Sequence, residues 1–382
     1  MSTILLILPN GASLREDESV LRTKLPHFAR LAEESELFLI REAPESAVPE
    51  AEYLGFEPTQ IRLSDGVLTV AALGVDPPDR SVHFHLSLLS VNADGVIGPT
   101  TQRPNHSDLK ELLAAAERLN TPRLTLVPGE ELDHGLVWED GSIDMGTVAA
   151  SNAFGNPVHK VLPEGDGEKM LRRYIDDSVE LLGGLDINKR RVDQELPKLN
   201  LLWPWGQGFR ERVPNLALNR GQAVRIESGS TRLAGLARLA GYLPGERAWH
   251  GNGLNVDLDR ALASTRSTLP TVLLLDGLTS LRAHERLEEM AWLLAQVDQQ
   301  LLAPLMRQID AAHPMKLRLL LPGTRDRPAS ASPVGLALDY DSRYRQSNGI
   351  PFDERMLEER RLPVRTLWEA CDEFLSSAAL LS

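Results

Sequence analysis

The chain has a single cysteine, Cys371, among its 382 residues. One thiol forms neither an internal disulfide nor a thiolate metal site, which excludes disulfide-stapled secreted domains and cysteine-ligated zinc centres. Long apolar runs are also missing at the amino terminus, where residues 4–8 form a run of only five. Five such residues without preceding basic residues make neither a signal peptide nor a membrane span. The sequence therefore favours a cytoplasmic protein with no membrane partner.

Positive charge is in deficit. Lysine and arginine total 41 against 54 aspartates and glutamates, which leaves a formal net charge of −13. Such a surface repels a phosphate backbone, so we expect no nucleic-acid partner. The sequence also lacks the phosphate loop G-x-x-x-x-G-K-[ST], the dinucleotide fingerprint G-x-G-x-x-G, the zinc motif H-E-x-x-H and the esterase elbow G-x-S-x-G.

Buried strands and amphipathic helices alternate along much of the chain. A continuous apolar run at residues 4–8 is typical of a parallel strand buried on both faces, and the segments 223–228, 271–277 and 316–323 also have the pattern of buried strands. Helical spacing appears between such runs, for example over residues 23–35. This alternation predicts an α/β fold with a doubly wound, mostly parallel sheet.

A segment of different character interrupts this pattern. Residues 60–91 show period-two alternation with turns rich in Gly, Pro and Asp, which predicts antiparallel strands. Residues 107–119 have the spacing of an amphipathic helix. We therefore expect a core domain of residues 1–58 and 167–382 and an inserted α+β domain of residues 59–166.

Two pairs of ring side chains are candidates for ligand contacts. Trp203 and Trp205 precede two glycines, which suits an aromatic wall beside a ligand and equally a packed domain boundary. His83 and His85 alternate on a predicted strand and would share one face, as metal ligands can. Without a third ligand nearby, we expect surface or packing roles for both histidines.

Three arginines are candidates for binding an anion through charge-assisted hydrogen bonds. Arg191 lies in a cationic stretch, and Arg325 and Arg327 follow a buried strand. Open α/β sheets bind ligands beyond the carboxyl ends of their strands, which favours Arg325. An internal ion pair with Asp326 or Asp276 is an equal alternative for this arginine.

Residues 186–208 carry the pattern N-x-x-W-x-W-G-x-G, preceded by an Asn and an Arg. The residues concerned are Asn188, Arg191, Asn200, Trp203, Trp205, Gly206 and Gly208. This stretch, together with residues 220–242 and 23–35, resembles the archaeal-type cofactor-independent phosphoglycerate mutases of the alkaline phosphatase superfamily. The resemblance covers most of the chain and implies an alkaline-phosphatase-like core with an inserted, lid-like domain.

The resemblance also implies a reaction assisted by two divalent metals, which activate a serine that takes up the phosphoryl group. In the family, aspartates and histidines at the strand ends hold these metals. Among the matching positions of this chain, His284 keeps the family's residue. The other four carry different residues, namely Asn10, Ser280, Thr324 and Arg325. Because only the imidazole of His284 is kept, we expect no bound cofactor, with two Mn or Zn ions as the alternative.

Ser46 occupies the position of the family's nucleophile. Its neighbours are Glu45 and Ala47, where the family has Gly and Asp. A serine without a base, a lowered pKa or a metal is a poor nucleophile near neutral pH. The sequence therefore offers no assured catalytic residue.

These replacements predict a catalytically degenerate, mutase-like pseudoenzyme with a binding or regulatory role. Its ligand would be a small phosphorylated or carboxylate metabolite, or a protein partner. The expected ligand-binding side chains are Arg191, Trp205, Arg325 and Arg327. The alternative is an active metal-dependent phosphotransferase or phosphoglycerate mutase with non-standard metal ligands. The candidates for those ligands are Asp276, Asp326, Asp339 and Asp341.

Overall fold

The computed structural model describes residues 2–11, 25–43, 48–76, 78–100, 103–129, 132–245, 256–310, 315–323, 334–344, 347 and 362–379. The chain forms two compact units, one of residues 1–62 and 213–382 and one of residues 63–212. Among the described helices, none has both the length and the apolar character needed to cross a membrane.

The strands follow one another along both units. In chain order they are β1 (Ser2–Ile7), β2 (Glu36–Arg41), β3 (Ser81–Val91), β4 (Ile97–Gly98), β5 (Leu124–Val127), β6 (Asp133–Glu139), β7 (Met145–Gly146), β8 (Glu164–Gly165), β9 (Leu201–Phe209), β10 (Arg225–Ser228), β11 (Leu243–Pro244), β12 (Thr271–Leu274), β13 (Met315–Leu321), β14 (Val334–Asp341) and β15 (Val364–Thr366).

The α-helices lie between these strands. They are α1 (Pro26–Glu33), α2 (Asp65–Ala72), α3 (His106–Ala116), α4 (Ala150–Ala153), α5 (Glu168–Gly183), α6 (Asp186–Asp193), α7 (Leu216–Arg220), α8 (Thr231–Leu239), α9 (Leu258–Ser264), α10 (Gly277–Ala283), α11 (Leu287–Gln296), α12 (Ala303–Asp310) and α13 (Leu367–Ala379). Short 3₁₀-helices occur at Pro49–Leu54, Glu117–Leu119 and Val158–Lys160, and a π-helical turn spans Val297–Leu302.

An eight-stranded sheet forms the centre of the first unit. Its strand order is β11-β10-β12-β1-β13-β14-β2-β15, in which β14 is antiparallel to both neighbours and the other pairs are parallel. The central strands are almost wholly buried because helices cover a mostly parallel sheet. The expected α/β fold with a doubly wound, mostly parallel sheet is confirmed.

The parallel arrangement determines where polar side chains can meet. The carboxyl ends of β10, β12, β1 and β13 lie along one edge of the sheet, which we call the carboxyl edge. Open α/β sheets bind their ligands outside such an edge, where the strand order changes direction.

An antiparallel sheet forms the centre of the second unit. Its order is β4-β3-β6-β5, and β9 also pairs with β3. The prediction of a strand within residues 60–72 is wrong, because helix α2 begins there. The Ser64 hydroxyl accepts a hydrogen bond from the backbone N–H of Val67 and caps this helix. Since α2 is buried on nearly every side, its apolar residues show no clear helical stripe.

The second unit extends further along the chain than the expected insertion of residues 59–166. Strand β9 pairs with β3 from Leu201 to Phe209, and the compact unit that contains this sheet extends to Arg212. Helix α5 packs on the same sheet through Leu171, Tyr174 and Leu182. Long-range strand pairing therefore places the boundary after β9.

Candidate functional site

Three elements bring polar side chains to the carboxyl edge of the large sheet. Asn10 follows β1 in the left-handed backbone region, with a φ of 59°. Asp276 follows β12 at the residue before α10. The Asn10 side-chain amide donates a hydrogen bond of 3.0 Å to the Thr279 hydroxyl, and the Thr279 backbone N–H donates to the Asp276 carbonyl. The first turn of α10 thus links the ends of β1 and β12.

The Asp276 carboxyl group has an unusual electrostatic environment. Burial raises its pKa above the ordinary value, and the negative charge of Glu50 raises the pKa further. Glu50 lies in the 3₁₀ turn Pro49–Leu54. The charge of Glu50, which lies far from Asp276 in the sequence, therefore acts on the Asp276 carboxyl group in the same direction as burial does.

Arg232 compensates part of this charge. It lies in the first turn of α8, which follows β10, and its Nε donates a hydrogen bond of 2.9 Å to Glu50 Oε1. The second carboxylate oxygen, Glu50 Oε2, is buried and has no hydrogen-bond partner among the described residues. Among the described residues, the Glu50 carboxylate is thus hydrogen-bonded through Oε1 but not through Oε2.

The donors at this edge have the chemistry of a site for a hard divalent cation. Carboxylate and amide oxygens from Asp276, Glu50 and Asn10 suit Mg²⁺ or Mn²⁺. A cation there would also compensate the repulsion between the two acidic groups and partner the buried Glu50 oxygen. Within the described ranges, no group of three or more His, Cys, Asp or Glu side chains is arranged to hold a metal ion. Asp276 and Glu50 are thus two possible oxygen ligands and not a complete metal site.

Several residues singled out from the sequence lie outside the described residues. These are Ser46, Thr324, Arg325, Asp326 and Arg327. Their roles remain predictions.

The other positions matched to the family's metal ligands lie in or beside α10. Ser280 belongs to this helix, and His284 is the exposed residue that follows its last turn. Asn10 touches the same helix through Thr279. The first turn of α10, rather than its carboxyl end, therefore faces the strand end that carries Asn10.

Two of the alternative aspartates lie away from the carboxyl edge. Asp339 and Asp341 occupy the end of β14 that pairs with the amino-terminal half of β13, at Arg318 and Lys316. Asp339 forms an ion pair with the buried Arg318. Asp341 pairs with Arg343 at 2.6 Å, and this arginine lowers the pKa of the Asp341 carboxyl even though partial burial opposes the shift. Of the described alternatives, Asp276 alone lies at this edge.

The motif residues of the second unit make internal contacts. The buried Asn188 amide donates to the carbonyls of Leu182 and Leu199 and accepts from the Leu199 backbone N–H at 2.7 Å. Arg191 Nε donates to the Pro197 carbonyl at 2.8 Å, and burial lowers the pKa of this guanidinium. These contacts hold the connection from α6 to β9.

Trp205 also has partners within its own unit. Its ring lies 4.6 Å from the His85 ring, centroid to centroid, and its Nε1 donates to the Ser87 hydroxyl at 3.0 Å. A ligand role for Arg191 or Trp205 remains a prediction beside these structural contacts.

The histidines of β3 are packed within the sheet. His85 is hydrogen-bonded to Thr69 at 2.7 Å and to Asp133 at 3.2 Å. His83 is buried, its ring nitrogens have no hydrogen-bond partner in the described part of the chain, and burial lowers its pKa to about 4. Both therefore have packing roles in the structure.

Sequence reasoning missed Glu50 and Arg232. They lie 182 positions apart, and neither belongs to a recognisable motif. One sequence signal points to Arg232. It follows a buried strand and a serine that can cap a helix, and this order places the start of a helix at the carboxyl edge.

Comparison with known proteins provides the family context. A sequence profile described as 2,3-bisphosphoglycerate-independent phosphoglycerate mutase matches residues 38–188. A probable enzyme of that name from Geobacter sulfurreducens is 23% identical over 228 residues, which cover 57% of each chain. One from Methanothrix thermoacetophila is 24% identical over 227 residues, 57% of this chain and 56% of that protein. The chain thus spans less than two thirds of the length of these relatives.

Solved structures extend the likeness over the whole chain. A cofactor-independent phosphoglycerate mutase from Thermoplasma acidophilum superposes with a TM-score of 0.60 at 18% identity, covering 99% of this chain and 100% of that one. A protein from Pyrococcus horikoshii superposes with a TM-score of 0.66 at 14% identity, covering 100% and 98%. At such low identity these matches show the fold alone, and they confirm the expected alkaline-phosphatase-like architecture.

Proposed function

Because this chain is a divergent relative of the archaeal-type 2,3-bisphosphoglycerate-independent phosphoglycerate mutases, we propose that it is an active, metal-dependent phosphoglycerate mutase with non-standard metal ligands. Its substrate class is a small phosphorylated carboxylic acid. The observation that carries this proposal is the link from Asn10 through Thr279 to Asp276, which places an amide and a buried carboxyl group at the carboxyl edge.

Two expectations from the sequence are corrected by the comparisons. The expected pseudoenzyme with a regulatory role is wrong, because the relatives and a structural neighbour are named as mutases and nothing in the described residues shows that catalysis is lost. The expected lack of a cofactor is wrong as well, because the matched family is one of metal-dependent enzymes. We therefore propose that the substitutions at Asn10 and Ser280 change the metal ligands.

The residues of this edge can divide the work of phosphoryl transfer. A divalent cation bound by Asp276 and Glu50 would withdraw charge from the phosphoryl group as a Lewis acid. Asn10 can supply a neutral oxygen, and its hydrogen bond to Thr279 fixes the amide. Ser46, four positions before Glu50 in the sequence, is proposed to receive the phosphoryl group on Oγ and to return it to the other hydroxyl of the same acid.

The test uses the full-length protein with Mn²⁺, Zn²⁺ or a chelator. Interconversion of 2- and 3-phosphoglycerate is followed by ³¹P NMR, and Mn²⁺ affinity is measured by calorimetry. We expect activity only with metal, and a loss of Mn²⁺ affinity of about tenfold or more in Asp276→Asn. The exposed Asp259→Asn in α9 is the matched control and should leave both readouts unchanged. The proposal would be overturned if the parent protein neither binds Mn²⁺ nor interconverts the two acids when metal is supplied.

Ser46 is tested separately. Ser46→Ala should abolish interconversion and leave Mn²⁺ affinity near that of the parent protein, since its hydroxyl acts on the phosphoryl group. Full activity in this variant would show that Ser46 has no part in the mechanism, and the proposed metal site would not be affected by that result.

A further inference from the structure

The end of the 3₁₀ turn Pro49–Leu54 is bound by an arginine from a distant part of the chain. Arg220 is the last residue of α7, and both its Nη1 and its Nη2 donate hydrogen bonds of 3.2 Å to the Leu54 carbonyl. The two residues are 166 positions apart in the sequence. The last carbonyls of a helix have no partner within it, and a cationic side chain can supply one. Arg220 therefore satisfies the end of the turn that carries Glu50.

Two further side chains hold the Arg220 guanidinium. Its Nη1 donates to the Tyr242 hydroxyl and its Nη2 to Asp372 Oδ1. Tyr242 is the residue before β11, and Asp372 lies in α13. The Arg220 side chain is only 6% exposed, so these bonds form away from bulk water, where hydrogen bonds to a charged group contribute most. Each Nη atom thus binds the Leu54 carbonyl and one side chain.

Gly55 allows a close approach between the turn and its anchor. It follows the turn with a φ of 81°, a backbone conformation that favours glycine. A Cβ at this position would lie 2.8 Å from both Arg220 Nη2 and the Cα of Asp372, so a side chain does not fit there. The end of the turn therefore packs directly against Arg220 and α13.

Other contacts hold the rest of this turn. Arg232 Nε lies 2.9 Å from Glu50 Oε1, and the fully buried Glu52 carboxylate accepts a hydrogen bond of 3.3 Å from the Ala43 backbone N–H. In the sequence, Ser46 lies between Ala43 and the turn. Because a short 3₁₀-helix has poor hydrogen-bond geometry of its own, its position depends on such outside contacts. Displacement of its end would therefore move the Glu50 carboxylate.

We propose that Arg220 is a positioning residue of the candidate site: it holds the 3₁₀ turn Pro49–Leu54 against α7 and α13 and so fixes the place of the Glu50 carboxylate. The inference rests on the proposed function, in which Glu50 binds a cation and Ser46 receives the phosphoryl group. Arg220 contacts no substrate in this role, because both of its Nη atoms are engaged by protein acceptors. A misplacement of about 1 Å in a reacting group can lower a rate about a hundredfold.

Hydrogen exchange of the full-length protein tests the anchoring. The backbone N–H groups of Gly55 and Phe56 donate hydrogen bonds of 3.0 Å to carbonyls of the turn. In Arg220→Ala, the peptide covering residues 49–56 should exchange about tenfold or more faster, because the turn opens more often. A peptide from β12, in the same unit, should keep the exchange rate of the parent protein. Unchanged exchange over residues 49–56 would overturn the proposal.

The kinetic consequence is measured with Mn²⁺ and phosphoglycerate. Arg220→Ala should lower kcat about thirty- to a hundredfold per folded molecule and change KM by less than about threefold, because the turn is proposed to carry groups that act on the phosphoryl group. Added guanidinium at millimolar concentration should restore part of kcat, since the free ion can donate to the Leu54 carbonyl. A parental kcat per folded molecule would reduce Arg220 to a residue of stability alone and contradict the positioning role.

Arg238→Ala is the matched control, since Arg238 is an exposed arginine in α8. It should behave as the parent protein in exchange, in kinetics and in its response to guanidinium. Arg220→Lys keeps the charge without the planar fork and should give an intermediate kcat and exchange rate. Circular dichroism and the urea midpoint confirm that each variant is folded, and Arg220→Lys provides the test should the alanine variant be unstable.

The outcomes separate this inference from the proposed function. A parent protein that does not interconvert phosphoglycerates would end the mutase proposal, and the exchange comparison would still decide whether Arg220 holds the turn. An active parent protein whose kcat is unchanged in Arg220→Ala would end the positioning role and leave the mutase proposal standing.

Discussion

The carboxylate of Asp298 caps helix α1 at His27, 271 positions away. Its Oδ1 accepts the backbone N–H groups of His27 and Phe28 at 3.0 and 2.8 Å, and its Oδ2 lies 2.9 Å from His27 Nδ1. The residue before α1, Leu25, has no capping side chain of its own. A fully buried acid in a π-helical turn therefore satisfies the free N–H groups of α1.

Replacing this acid should destabilise the first unit. Asp298→Ala leaves a buried and a partly buried N–H group of α1 without their acceptor, and we expect a loss of about 2–4 kcal/mol in the free energy of unfolding. Urea denaturation followed by circular dichroism measures it. Gln299→Ala, an exposed change in the same turn, should stay within about 0.5 kcal/mol of the parent. Equal stability of the two variants would show that Asp298 does not cap α1.

The motif residue Asn188 is predicted to act in stability. Asn188→Ala removes three hydrogen bonds to buried backbone groups, so it should cost about 2–4 kcal/mol in the second unit. Lys189→Ala removes an exposed ion pair with Asp186 and should cost less than about 0.5 kcal/mol. Urea unfolding followed by tryptophan fluorescence reports both. A stable Asn188→Ala protein that has lost substrate binding would instead assign this residue to the ligand site.

Acid should destabilise the second unit through two buried histidines. Burial lowers the pKa of His83 and of His134 to about 4 each, below the ordinary value of 6.5. Between pH 6.5 and 4 the unfolded chain therefore binds more protons than the folded one. The stability these neutral rings contribute is complete above pH 6.5 and is lost as the pH falls towards 4, by on the order of 2–3 kcal/mol for each ring.

The control for this pH effect is another histidine of the same unit. His83→Leu removes a buried ring that has no described hydrogen-bond partner, so its free energy of unfolding should fall less steeply between pH 6.5 and 4. The exposed His159→Gln should keep the slope of the parent. Unfolding titrations at a series of pH values compare them, and parallel slopes for all three proteins would contradict the assignment.

Limited trypsin digestion should reveal the boundary between the two units. Arg62 and Arg212 are exposed, and residues 210–215 lie outside helices and strands. Exposed irregular segments are cut first, so an early fragment from Leu63 to Arg212 is expected by mass spectrometry. Early cuts at Lys160 or Lys169 would instead support the shorter insertion of residues 59–166.

Local pattern was enough for much of the fold. The apolar runs predicted β1, β10, β12 and β13, and the glycines at 183 and 184 predicted the end of α5. The sequence pattern of helix α2 predicts a strand, because a helix buried on most sides has no solvent face to reveal its period. A buried short element is thus the case in which periodicity carries least information.

By itself, the sequence determined the fold class, the family resemblance and the departures from the family at Asn10 and Ser280, because each of these is local in the chain. Only the tertiary structure decided that Arg232 pairs with Glu50, that Asp298 caps α1, and that β9 belongs with β3. The physical reason is that helical and strand periods arise from neighbouring residues, whereas charge pairing and capping depend on strand order, which places residues hundreds of positions apart in contact.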